Sequence, residues 1–110
     1  MGLAQTTRNK IDKAVNRHEE FKFGNVSAKR YETGDYIPMG KLPSFLQSQL
    51  SGLQLDYDVY VVYSYQTPIG WTRIASLPSE WFIPTQYYSN TTTHHQHMLM
   101  WATNYKRDIR

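Results

Sequence analysis

Tyr63, Tyr65, Thr67 and Arg73, followed by Tyr88, Thr91, Thr92, His95 and Gln96, are the residues whose types and spacing could do chemistry. They fall in two runs. The first is Tyr63-Ser64-Tyr65-Gln66-Thr67-Pro68-Ile69-Gly70-Trp71, and the second is Tyr88-Ser89-Asn90-Thr91-Thr92-Thr93-His94-His95-Gln96. A tyrosine on a sheet can stack a nucleobase or reach a phosphate. Threonine hydroxyls at a helix start can join unpaired backbone amides in holding an anion. A His-Tyr-Thr set could cleave a phosphodiester by general acid–base steps, given a cation at the phosphate. Arg73 is the nearest base in sequence. The same residues also have structural uses. Tyrosine on a strand commonly packs with its hydroxyl at the rim, one threonine of a run caps the helix, and a half-buried histidine holds a neighbouring hydroxyl in place.

Several chemistries lack their parts. There is no cysteine, which excludes disulfides and thiolate metal sites. His94 and His97 stand three residues apart, a spacing that can share a metal, but no carboxylate or third imidazole accompanies them, so no metal or other cofactor is expected. The chain carries no nucleophile elbow, glycine-rich phosphate loop, zinc motif or carboxylate pair. A binding module is therefore preferred to an enzyme.

The elements that must position these residues can be read in part. Ile11, Ala14, Val15 and His18 form a narrow apolar stripe on an N-terminal helix capped by Thr6 or Thr7, with residues 1–5 frayed. Gly24-Asn25 marks a turn between extended segments at Phe21, Phe23 and Val26. Tyr31 to Leu42 reads as loop. Leu42 to Leu50 reads as a short helix, with Leu42, Phe45, Leu46, Gln49 and Leu50 on one face, Pro43 in its first turn and Gly52 at its stop. Asp58 to Tyr65 is the clearest strand, β-prone throughout and covered on both sides, with Tyr60, Val62 and Ser64 on one face and Val59, Val61, Tyr63 and Tyr65 on the other.

Gln66 to Gly70 then predicts a turn, and Trp71 to Ile74 a returning strand. After a loop from Ala75 to Glu80, a third strand runs from Trp81 to about Tyr88, with Pro84 marking an edge or a bulge. Thr91 or Thr92 caps a last helix reaching about Tyr105, with His95, Leu99 and Ala102, together with Met98, as its buried stripe. Lys106-Arg107 sits at its negative end. Trp71 and Trp81 are expected to be mostly buried. The two polar runs should meet, with His95 hydrogen-bonded to Tyr63, Tyr65 or Thr67, and His94 and His97 more exposed.

Composition sets the frame. A chain of 110 residues with nine Tyr, four Phe and three Trp can build its own core as one domain, residues 1–110. No apolar run approaches a membrane span and no leader is apparent, so a protein of the cytoplasm with no membrane attachment is expected. Residues 1–30 carry seven bases against three acids, and the rest five against six. Lys10, Lys13 and Arg17 are thus the candidates for contact with a nucleic acid. Asp12, Glu19 and Glu20 are interleaved with them, as on an ordinary solvated helix.

Tyr63-Ser64-Tyr65, Thr67-Pro68-Ile69 and Trp71, followed by Trp81, Pro84, Tyr88-Ser89, Thr91, Thr92 and His95-Gln96, resemble the motif order of a family of small uncharacterised proteins. Such proteins occur in bacteriophages and mobile elements of Gram-positive bacteria. Phe23-Gly24-Asn25 and Leu42-Pro43 are similar to weaker upstream features, so the resemblance covers about residues 20–100. Gly70 stands where the family's pattern has Ala. The resemblance implies a phage or plasmid origin and a shared polar site, and no reaction.

The expected fold is α+β: a small antiparallel sheet of about three or four strands, with N-terminal, middle and C-terminal helices on one side of it. The expected function is an accessory protein in a bacterial host that binds a host protein or a nucleic acid. Inhibition of a host-defence nuclease, in the manner of anti-CRISPR proteins, is its concrete form. The alternative is a small phosphodiester- or nucleotide-processing enzyme with a His/Tyr/Thr site. The sequence leaves the oligomeric state open.

Overall fold

The apolar pattern resolves into one sheet with helices on both faces. The computed structural model describes residues 5–74 and 80–104. The chain forms α1 (Gln5–Asn16), β1 (Phe21–Phe23), β2 (Val26–Tyr31), α2 (Ser44–Gln54), β3 (Val59–Ser64), β4 (Thr67–Arg73), β5 (Trp81–Phe82) and α3 (Asn90–Thr103). The strands pair antiparallel in the order β1-β2-β3-β4-β5. The fold is α+β as expected, with five strands in place of three or four. The extended segments expected about Gly24-Asn25 become β1 and β2, which form a hairpin there. Gly24 has φ +61, at the first central position of a two-residue turn, where glycine is the ordinary choice.

β3 lies at the centre of the sheet and every residue of it is buried. Its alternation assigns the layers. Tyr60 and Val62 pack with Ile11 and Val15 of α1, Leu99 of α3 and Ile83. Val59, Val61 and Tyr63 pack with Leu46 and Leu50 of α2, Leu42, Ile37 and Trp71. A strand apolar on both faces needs cover on both, so α2 occupies the side opposite α1 and α3. The expectation of helices on one side is corrected accordingly.

β4 starts at Thr67, not near Trp71. Ser64 pairs with Thr67, which leaves only Tyr65 and Gln66 for the turn. Pro68 is accommodated because the register shifts between Val62 and Tyr63: Val62 pairs with Gly70 and Tyr63 with Pro68. Ile69 is the extra residue, and it is buried in the core under α1 and α3. Gly70 marks the close approach of α3. A Cβ there would lie 2.5 Å from Leu99 Cδ2 and 3.2 Å from Ile83 Cγ1.

The strand expected from Trp81 to Tyr88 shrinks to Trp81–Phe82, because Pro84 removes a ladder donor just beyond it. Gln96 pins the continuation instead, its Nε2 donating to the Gln86 carbonyl at 2.9 Å. Trp71 is buried. Trp81 is only partly so, edge-on to Tyr60 at 5.9 Å.

Helix ends differ from expectation in specific ways. Thr6 and Thr7 lie inside α1, so neither caps it. Its stripe of Ile11, Ala14 and Val15 is buried. His18, expected on the same stripe, is buried too but lies beyond the helix end at φ +55, and Tyr60 Oη ties this end to the sheet by donating to the Glu19 carbonyl at 2.7 Å. Pro43 is the N-cap of α2, and the helix runs through Gly52 to Gln54. Gln54 Nε2 donates to the carbonyls of Glu32 and Asp35, an anchor that outweighs the glycine. Phe45 and Gln49 face solvent, not the core. The N-cap of α3 is Ser89, whose Oγ accepts from the Thr92 amide, so Thr91 and Thr92 fall in the first turn. Its buried stripe is Thr92, His95, Gln96 and Leu99, with Met98 and Ala102 at the margin.

The expectations for residues 1–4, 75–79, Tyr105 and Lys106-Arg107 lie outside the described residues. No helix among the described residues is long and apolar enough to cross a membrane.

Candidate functional site

Two hairpin turns, one loop and the start of α3 converge at one end of the sheet and enclose a cleft of about 650 Å³. The convergence follows from the register. Val26 pairs with Ser64, so the β1–β2 turn and the β3–β4 turn lie side by side, and the Tyr65 amide donates to the Asn25 carbonyl at 2.6 Å. The loop before α2 is pinned to the same place, because the Lys41 amide donates to Thr67 Oγ1 at 2.9 Å. Gly40 permits this approach. It has φ +52, and a Cβ there would run into the Gln66 carbonyl oxygen and Thr67 Oγ1.

The lining is polar and one-signed. Lys22 comes from β1 and Lys41 from the loop, and no carboxylate is among the described lining residues. Thr67, Ser89 and Thr91 contribute hydroxyls. Tyr88 also lines the cleft, and its own hydroxyl is buried with no hydrogen-bond partner among the described residues. Burial raises the pKa of that phenol, so it is a neutral donor. In the first turn of α3, Ser89 Oγ takes the Thr92 amide and the Ser89 carbonyl takes the Thr93 amide. The amides of Asn90 and Thr91 precede these and lack intrahelical acceptors.

Behind the cleft runs a chain of hydroxyls ending on an imidazole. Ser89 Oγ donates to Thr92 Oγ1 at 3.2 Å, Thr92 Oγ1 lies 3.0 Å from Ser64 Oγ, and Ser64 Oγ lies 2.7 Å from His95 Nδ1. Each hydroxyl has one proton to give. If each passes it along the chain, His95 accepts at Nδ1 and carries its proton on Nε2. Burial, then the neighbouring His94, lowers the His95 pKa and favours this neutral form.

The structure thus brings the two polar runs together, through Ser64. Tyr65 leaves the strand for the turn, at φ +59, and its ring centroid lies 6.2 Å from that of His95. Tyr65, Thr67, Tyr88, Thr91 and Thr92 all line the cleft. Tyr63 does not. It points to the opposite face, where its hydroxyl donates to the Pro38 carbonyl and meets the Tyr31 hydroxyl, both at 2.9 Å. Burial first, then that hydrogen bond, raises its pKa. Arg73 is also elsewhere, paired with Glu80 at 3.1 Å and lying over the Tyr57 ring. Gln96 is spent on the segment after β5. His95 is buried and bonded as expected, but its partner is Ser64, not Tyr63, Tyr65 or Thr67. His94 and His97 are exposed, and no group of three potential metal ligands occurs among the described residues. Lys10 and Lys13 on α1, and Arg17 in the turn just after it, are exposed and do not line the cleft.

Sequence reasoning missed Lys22, Lys41 and Gly40, which reach the cleft only through long-range pairing. Ser64 and Ser89 carried a local signal: Ser64 shares the strand face of Tyr60 and Val62, and Ser89 stands at capping distance from Thr92.

A family model described as "Family of unknown function (DUF8033)" matches residues 6–109, and the chain belongs to this family. No curated protein and no solved structure matches it.

Proposed function

We propose that this family member is a binding protein whose cleft holds a phosphate-bearing partner, with nucleic acid as the favoured class. The observation that carries this reading is the presence of both Lys22 and Lys41 in the lining of a hydroxyl-rich cleft with no described carboxylate. Two lysines in one lining with hydroxyl and amide donors suit a phosphate, which accepts on all sides and repays the lysines electrostatically. The exposed bases of α1 add a sequence-independent field outside the cleft, diluted by Asp12, Glu19 and Glu20.

The likeness of the two polar runs to phage and mobile-element proteins supplies a setting. It favours an accessory protein acting in the cytoplasm of a bacterial host. Interference with a host-defence nuclease is one form of that role, since such a nuclease and this cleft would compete for the same strand.

The Ser64–His95 contact favours a second reading, a small phosphodiester-processing enzyme, because a hydroxyl beside a neutral imidazole is the start of a nucleophile–base pair. Against it, Ser64 is 1 % exposed and its hydroxyl is engaged by both His95 and Thr92. A folded His95→Ala protein that loses a measured hydrolysis would favour the enzyme.

The binding reading is tested by fluorescence anisotropy with a 5′-phosphorylated single-stranded oligonucleotide. The Lys22→Ala/Lys41→Ala protein should bind at least tenfold more weakly at low salt, with a flatter salt dependence. The Lys10→Ala/Lys13→Ala/Arg17→Ala protein should lose less. Unchanged binding in the cleft variant would overturn the proposal.

A further inference from the structure

Resting on the phosphate reading of the cleft, we infer that the partner is presented as a nucleotide of a single strand, with its base lying on the Tyr65 ring. Tyr65 occupies the first central position of a two-residue hairpin turn, at φ +59, a conformation that L side chains avoid and glycine adopts freely. The equivalent position of the β1–β2 turn is Gly24. A bulky aromatic therefore stands where the backbone favours none. Local packing does not account for it, because Tyr65 belongs to neither core and is 51 % exposed.

What the turn achieves is placement. The Tyr65 amide is clamped to the Asn25 carbonyl at 2.6 Å, and the ring is backed by His95 at 6.2 Å between centroids. Ring and lysines line one cleft of about 650 Å³, a size typical of small-ligand sites. A half-exposed ring at the edge of this cleft is a stacking platform for any base, while Lys22 and Lys41 take the phosphate. The side-chain amides of Asn25 and Gln66, also in the lining, are donors and acceptors suited to a base edge. In a duplex the base faces are already stacked, so this geometry selects a single strand or a free nucleotide.

Titration calorimetry on the whole chain separates this inference from the reading beneath it. The probes are inorganic phosphate, a nucleoside 5′-monophosphate, a 5′-phosphorylated trinucleotide and a blunt duplex. The monophosphate and trinucleotide should bind at least tenfold more tightly than inorganic phosphate, and the duplex more weakly than the trinucleotide. Tyr65→Gly, which the turn accepts, and Tyr65→Leu should both lose that increment and keep phosphate binding. Tyr65→Phe should retain it. If nucleotides bind no better than phosphate, or if either non-aromatic variant keeps the increment, the stacking role is wrong and the phosphate site stands. If neither phosphate nor nucleotide binds, the phosphate site falls and takes the inference with it.

Discussion

Ser64 and His95 set the behaviour of the site at the scale of single residues. Their 2.7 Å contact requires an unprotonated Nδ1 if the hydroxyl chain from Ser89 is to keep its direction. His18 is the second buried imidazole, packed on Tyr60 at 5.2 Å. Both have pKa values lowered from 6.5, by burial first, then by Arg30 for His18 and by His94 for His95. The unfolded chain therefore takes up these protons at higher pH than the folded protein does. The stability they contribute is present above pH 6.5 and is lost as the pH falls from there through their folded values. Urea midpoints should drop between pH 7 and pH 5, and His95→Asn should flatten part of that drop. A midpoint independent of pH over this range would contradict the buried neutral assignment.

The sequence made the burial of His95 legible, because the residue lies on the apolar stripe of α3. Its partner was not, since Tyr65 leaves the strand at the turn and Tyr63 faces away.

At the scale of elements, the distance between α3 and the sheet is set by Gly70. A Cβ here would stand 2.5 Å from Leu99 Cδ2, and Leu99 is fully buried. Gly70→Ala should therefore destabilise the protein by about 1–3 kcal/mol through overpacking. Adding Leu99→Val, which shortens the opposing side chain, should recover part of the loss, so the two effects will not add. Additive effects in thermal unfolding would mean that the two positions do not share space.

β3 was legible because an unbroken β-prone run leaves little choice. β4 was misread because Pro68 looks like a turn residue, and only the bulge at Ile69 shows how a strand tolerates it. The cap of α3 was misplaced by three residues or fewer, since Ser89, Thr91 and Thr92 are all competent caps and tertiary packing of Thr92 and His95 decides among them.

For the molecule as a whole, the strand order is what makes a site. The hairpin order of β1 to β4 returns both turns to the same end of the sheet, and α3 begins beside them. Lys22 and Lys41 arrive from separate segments and line one cleft with residues of the second polar run. No local pattern announces such a meeting, which is why sequence reasoning turned to Arg73 for a cation. Arg73 lies on β4 and is committed to Glu80 and Tyr57.

The central claim is that this cleft, and not the basic face of α1, holds the phosphate-bearing partner. Amide chemical-shift mapping during titration with a 5′-phosphorylated trinucleotide tests it most directly. The account predicts saturable shifts concentrated at Asn25, Lys41, Gln66 and Thr91, with Leu46 and Leu50 of α2 unmoved. Shifts centred on Lys10, Lys13 and Arg17, with the cleft amides still, would contradict it.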